Sequence, residues 1–322
     1  MPRRLAGQQA HAILSAEAAA AVAANHGIAV DRDAIADHLD AALRAADPRE
    51  RRAALAVVVE MGLRLACLLS TLRDPETATA QGWSAWRRSY LRHWATVDEV
   101  HLAGGLLAGQ VGPLVVAETR AALVRLGVPT RSALLPWPAW AALIGAVRRL
   151  GVTAGEVLAV DLGGSRAKTA LMRVPAGRAL ELTPLSVTRV PYQPRDRPSS
   201  EALEDFLDAV LVAAARDVRG LGASVRAMAI SVACYLDRNR RCPDRGVYAN
   251  LPDLVDGAFP RRQAELFGQT VDVSIVHDGT AAAASVPAAG GAAGAVLVLG
   301  SAIGVGFPPP GLPWWQGLTV RG

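Results

Sequence analysis

Hydrophobic and polar positions change rhythm once along this chain, near residue 96. Before that point apolar residues recur every three or four positions, the helical period. Residues 10–25 are dominated by alanine, the strongest helix former, and Asp31-Arg32-Asp33 supplies a start signal for a helix over 34–45. Asp47-Pro48 opens a longer helix running through 53–72, and 83–94 reads as a shorter amphipathic one. Residues 97–103 then predict a strand, followed by Gly104-Gly105-Leu106-Leu107 and by helices over 113–126 and 137–150.

The second half alternates. Residues 156–191 predict three strands with turns at Gly163-Gly164 and Pro175-Ala176-Gly177. A helix over 199–218 has a serine cap and an acidic first turn. Strands follow at 227–233, 271–276 and 295–299, with a loop-rich stretch over 237–252 and helices over 260–267 and 278–285. Strands alternating with helices predict an α/β fold with substantial parallel pairing, behind a helical N-terminal segment. No internal repeat at solenoid spacing is present.

Composition narrows this picture only a little. With 322 residues, 51% hydrophobic and 20% charged, the chain is long enough for two domains of an ordinary globular protein. Its formal charge of +5 comes from arginines spread over helices rather than from a basic block, so solvated helix faces are expected and a nucleic-acid partner is not. Cys67, Cys234 and Cys242 make neither a disulfide framework nor a C-x-x-C pair, and reduced thiols in a cytoplasmic protein are the expectation. Residues 18–24 lie inside a polar-flanked helix, and 294–306 is too short and glycine-rich to span a bilayer, so no membrane association is expected either.

The chemistry gathers in four loops at strand ends. Residues 157–160 lead into Asp161-Leu162-Gly163-Gly164-Ser165-Arg166-Ala167-Lys168, which holds the only lysine of the chain. Paired glycines let backbone N–H groups approach an anion, and an acid at the strand end can hold an accompanying Mg²⁺ through water. The second loop is His277-Asp278-Gly279-Thr280, an acid at the mouth of a helix. The third, Gly300-Ser301-Ala302-Ile303-Gly304, and the fourth, Ala103-Gly104-Gly105-Leu106, are glycine turns after strands. Ligands of open α/β sheets bind outside the carboxyl ends of the strands, so loops of this kind suit one crevice. Taken singly, Asp-x-Gly-Gly is also a common tight turn, Asp278 could be a helix cap, His277 a packed polar residue, and Trp314 and Trp315 packing groups.

Together these loops resemble the phosphate-1, phosphate-2 and adenosine motifs of the actin-like ATPase superfamily, most closely the ROK-family sugar kinases, with hexokinases next. The family's D-x-G-G-T appears with Ser165 keeping the hydroxyl, and its N-D-A-N-A-A-A appears with His277 for asparagine and with Asp278 retained. G-T-G-I-G appears as Gly300-Ser301-Ala302-Ile303-Gly304, and Ala249-Asn250-Leu251-Pro252-Asp253 looks like P-N-L-P-G. The order differs. The family's adenosine motif and last helix come at its C-terminus, whereas here Gly104-Gly105 and Ala142-Leu143-Ile144-Gly145-Ala146 come first. Moving residues 1–150 behind residue 322 restores the usual order, so the chain resembles a circular permutant.

The resemblance implies a two-lobed actin-like ATPase (ribonuclease H-like) α/β fold, with residues 1–136 forming a larger lobe completed by 286–322, and 137–285 a smaller one. It implies an ATP- and Mg²⁺-dependent kinase for a hydroxyl of a sugar, aminosugar or sugar-like molecule, and a homodimer as in the family. Asp278 would be the general base, Asp161 the Mg²⁺ residue, and Gly163, Gly164, Ser165, Gly300, Ser301 and Ala302 the phosphate group; Lys168, after the turn, either joins that group or points outward from the second strand. Gly104 and Gly105 would face the adenosine, and Asn250 and His277 the acceptor. The family's C-x-C-x-x-G-x-x-G-C zinc stretch and E-x-G-H signature are absent, so acceptor recognition must differ. A ligand-binding regulator or a nucleotide hydrolase on the same fold is the alternative.

Overall fold

The computed structural model describes residues 9–74, 85–174, 180–193, 195–237, 239, 242, 246–255, 258–286, 294–309 and 318–321. They form an α/β protein with two mixed-type layers, and the chain divides into two compact units: Met1–Trp140 with Ala289–Val305, and Ala141–Ala288 with Gly306–Gly322.

In the first unit the longest helix, Pro48–Arg73, starts where Asp47 accepts the Arg49 N–H at 2.8 Å and Pro48 fills the first helical position. Val57, Val58, Met61, Leu65 and Leu69 form its buried face. It is the one described helix long and apolar enough to cross a bilayer, and half of its apolar window is buried inside the protein. Gly62 lets it pack on the helix Val111–Arg125, because a Cβ there would stand 2.6 Å from Glu118 Cβ. The four-stranded sheet has the order β2-β1-β8-β9, with β1 (Glu99–Ala103) parallel to both β2 (Arg131–Leu134) and β8 (Gly294–Leu299). The strand β9 is Ile303–Gly306.

The helix expected over 10–25 is broken at Ser15, which is extended (φ −73°, ψ 170°) between Ala10–Leu14 and Ala16–Asn25. The Ser15 hydroxyl caps the second piece through the Ala18 N–H, and the Ala16 N–H donates to the Gly300 carbonyl at 2.8 Å. Serine competes for backbone donors in this way, and alanine-rich flanks hide the break in the sequence.

The second unit is built on a six-stranded sheet ordered β10-β5-β4-β3-β6-β7: Leu318–Val320, Leu180–Arg189, Arg166–Val174, Gly155–Leu162, Val225–Val232 and Asp272–His277. The pairs β3/β4 and β4/β5 are antiparallel, whereas β3/β6, β6/β7 and β5/β10 are parallel. Alternation along β3 sends Leu158, Val160 and Leu162 into a core with the helix Ser200–Gly220, whose Phe206, Leu207 and Val210 pack there. Val157, Ala159 and Asp161 take the opposite face. The helix Ala141–Leu150 packs on the sheet and on the helix Asp278–Ala284, and at Gly145 a Cβ would fall 1.6 Å from the Ala281 carbonyl oxygen.

Two expectations change. Residues 286–322 do not all belong to the first lobe: Gly306–Gly322 joins the second unit, where β10 hydrogen-bonds along β5. The helix expected over 137–150 begins at Ala141, after a 3₁₀ turn at Pro138–Trp140, because the Pro138 carbonyl accepts the Gly104 N–H at 2.8 Å. Trp314 and Trp315 lie outside the described residues.

Candidate active site

Register fixes the site. Leu162 pairs with Val232 and Val232 with His277, so β3, β6 and β7 end level at one carboxyl edge. One residue further in, Asp161 is opposite Ser231 on one side and Lys168 on the other. Directly opposed residues share a sheet face, so the three side chains form a row across β4, β3 and β6. Asp161, 6% exposed, accepts from the Ser231 hydroxyl at 3.0 Å through Oδ1 and meets the Lys168 Nζ at 3.0 Å through Oδ2. A nearly buried carboxylate needs such partners, since an unpaired charge there would lose its hydration without return.

The turn after β3 closes when the Gly163 N–H donates to the Arg166 carbonyl at 3.1 Å. Its carbonyl points to a residue that sequence reasoning passed over: the Tyr248 hydroxyl donates to Gly163 O at 2.8 Å. Tyr248 is buried, and burial first, then the Asp161 charge and Cys234, push its phenol well above the usual tyrosine range. It therefore stays protonated and keeps the turn fixed. Only its position two residues before Asn250 could have flagged it.

At the end of β7, His277 caps the helix Asp278–Ala284: its Nδ1 accepts the Thr280 N–H at 3.3 Å. That leaves the ring proton on Nε2, which lies 3.0 Å from Asp278 Oδ1. The Gly279 N–H reaches the same oxygen at 2.6 Å. Tyr235, beyond the end of β6, stacks on the imidazole with centroids 4.1 Å apart and 22° between planes. Oδ1 of Asp278 is thus held by two donors and the ring by a second ring, while the carboxylate stays partly open at 18% exposure.

Asn250 is exposed, and its amide donates to the Pro198 carbonyl at 2.8 Å, just before the Ser199 cap of the long helix. Ser165 accepts the Val190 N–H at 2.9 Å through its carbonyl, and Gly164 stands beside it in the turn. Asp161, Gly163, Gly164, Ser165, Lys168, Asn250, His277 and Asp278 all belong to the second unit.

Gly104, Gly105, Gly300, Ser301 and Ala302 belong to the first. Gly104 has φ +107° and no room for a Cβ, which would fall 2.1 Å from Leu299 O, so this glycine serves the close approach of β1 and β8. Gly105 has open space instead. The Gly300 N–H closes onto the Ala302 carbonyl at 3.0 Å, around Ser301.

No cluster of three or more His, Cys, Asp or Glu side chains exists among the described residues. Mg²⁺ asks for less, since it keeps several waters and takes one or two carboxylates together with phosphate oxygens. Asp161, with the Ser231 hydroxyl beside it, fits that hard-oxygen chemistry. No protein-family model matches this chain, and no curated protein sequence is significantly similar to it.

Proposed function

We propose that this protein is an ATP- and Mg²⁺-dependent kinase that phosphorylates a hydroxyl of a sugar, aminosugar or sugar-like alcohol, on a circularly permuted actin-like fold. The order β5-β4-β3-β6-β7, antiparallel up to β3 and parallel beyond it, supports the ribonuclease H-like reading of the second unit. One observation carries the chemistry: two carboxylates stand at the level ends of β3 and β7, one with a cation against it and one oriented by His277 and the Gly279 N–H.

Phosphoryl transfer needs positioning, charge neutralisation and a base. Asp278 takes the proton of the acceptor hydroxyl as that oxygen bonds to the γ-phosphorus and the bond to the departing ADP breaks. His277 is a positioning residue, fixing Asp278 Oδ1 so that the other oxygen faces the acceptor. Mg²⁺, when bound, neutralises charge on the phosphate oxygens, with Asp161 as the residue that would hold it through water. Since the Gly163 N–H closes its own turn, Gly164 and Ser165 are the residues of this hairpin assigned to the phosphates. Gly105, with its open side, suits the adenosine better than Gly104.

The Asn250 amide gives one N–H to the Pro198 carbonyl, so its part in acceptor binding rests on the second N–H and on Oδ1. Incubation with ATP, Mg²⁺ and a panel of sugars and cyclitols separates the readings. The kinase releases ADP only with a suitable acceptor and loses this in Asp278→Ala. Release indifferent to acceptors identifies a hydrolase, and ligand binding without release a sensor.

A further inference from the structure

We propose that Lys168 is an exchangeable cation, holding Asp161 in the protein alone and passing its ammonium to the phosphate chain of a bound polyphosphate when Mg²⁺ takes the carboxylate. Both Mg²⁺ at Asp161 and the identity of the polyphosphate as a nucleotide rest on the kinase reading.

The geometry makes one carboxylate serve two cations. Asp161 is nearly buried, its Oδ1 is taken by Ser231 and its Oδ2 by Lys168. A divalent ion brought to that carboxylate repels an ammonium 3.0 Å from it, and the same low-dielectric surroundings that strengthen the pair strengthen this repulsion. The ammonium must then move to another anion. Its backbone is fixed in β4, opposite Asp161, but its four-carbon stem leaves the charged end mobile, and Lys168 is 19% exposed against 9% for the Asp161 side chain. The nearest place for an anion is the turn Gly163-Gly164-Ser165 that joins β3 to β4.

Residue type points the same way. Of 34 basic residues Lys168 is the only lysine, in a chain that uses arginine at every other such position. An arginine facing Asp161 would form a planar two-bond fork and stay there, whereas an ammonium is a point charge that trades one oxygen for another. Lysine thus stands at the position facing Asp161, where a persistent fork would block the carboxylate.

A single lysine gives a single side-chain signal in nuclear magnetic resonance when lysine alone is isotope-labelled, so the exchange can be watched directly. Wild-type protein is titrated with Mg²⁺ plus inorganic tripolyphosphate, and separately with Mg²⁺ plus ADP, with binding followed in parallel by calorimetry. The expected result is a shift of the Lys168 signal on polyphosphate binding. Lys168→Met then binds Mg²⁺ alone more tightly but tripolyphosphate more weakly, by about tenfold or more. Lys168→Arg, which keeps the charge, weakens Mg²⁺ binding. Polyphosphate and ADP binding with an unmoved Lys168 signal would overturn the exchange and leave the nucleotide reading standing. A shift with tripolyphosphate but no binding of ADP would support the exchange and end the nucleotide reading. Binding of neither would overturn both.

Discussion

In the proposed reaction Asp278 is the base, and Tyr248 holds the turn after β3; only the first stands out in the sequence. Asp278 is an acid between a strand and a helix, a place legible from pattern alone. Replacing it with asparagine should lower acceptor-dependent ADP formation by on the order of 10²–10⁴, with the fold unchanged by circular dichroism. Tyr248 lies in a stretch without periodicity, so its hydrogen bond to the Gly163 carbonyl could come only from the structure. Its phenol is raised by burial and by Asp161, so between about pH 9 and 11 the unfolded chain ionises while the folded one does not. The native state then binds more protons than the unfolded state, and stability falls as pH rises through that window. The difference in urea stability between wild type and Tyr248→Phe should accordingly shrink from neutral pH to pH about 10.5. A constant difference would mean that the buried hydroxyl contributes only its hydrogen bond. The type of ring at His277 is likewise visible in sequence, but not its roles as cap and as holder of Asp278, which depend on Thr280 and Tyr235 meeting it.

Elements with strong local signals emerge where sequence places them: Asp47-Pro48 and Ser199 begin helices, and the hairpin β3/β4 turns at Gly163-Gly164. The elements that escape notice are short ones whose partners are remote. The strands β2 and β10 have four and three residues, and they exist because β1 and β5 offer open edges for pairing. The helices Ala141–Leu150 and Asp278–Ala284 are each expected from the sequence, but their packing on one another is not. Gly145 looks like a weak point in a helix, yet it sets how closely the two axes approach. Gly145→Ala should push the helix that carries Asp278 outward, costing about 1–3 kcal/mol in denaturant unfolding and lowering activity with it. At the other end of that helix, the buried Arg148 guanidinium donates to the Ala284 and Val286 carbonyls at 2.8 and 2.7 Å, and burial lowers its pKa. Arg148→Met leaves both carbonyls without these bonds and should destabilise by about 2–3 kcal/mol. If it proves neutral, those carbonyls are satisfied by other means.

At the scale of the chain, the fold is α/β in two compact units. The helical first stretch and the alternating second half were readable from period alone, as were the four loops. The strand β10 was not, because its three residues carry no period and their place is decided by pairing with β5. The carboxyl edge of the second sheet came through because strand ends, glycines and acids are local features. Its electrostatics did not, since nothing local predicts that the single lysine turns inward to Asp161 rather than outward to solvent. The most direct test of the central claim is phosphorus NMR of a single turnover with ATP, Mg²⁺ and the best acceptor of the panel. A new phosphomonoester signal in wild type, absent with Asp278→Asn, is the predicted result. Inorganic phosphate as the only product, or unchanged ATP with every acceptor, would contradict it.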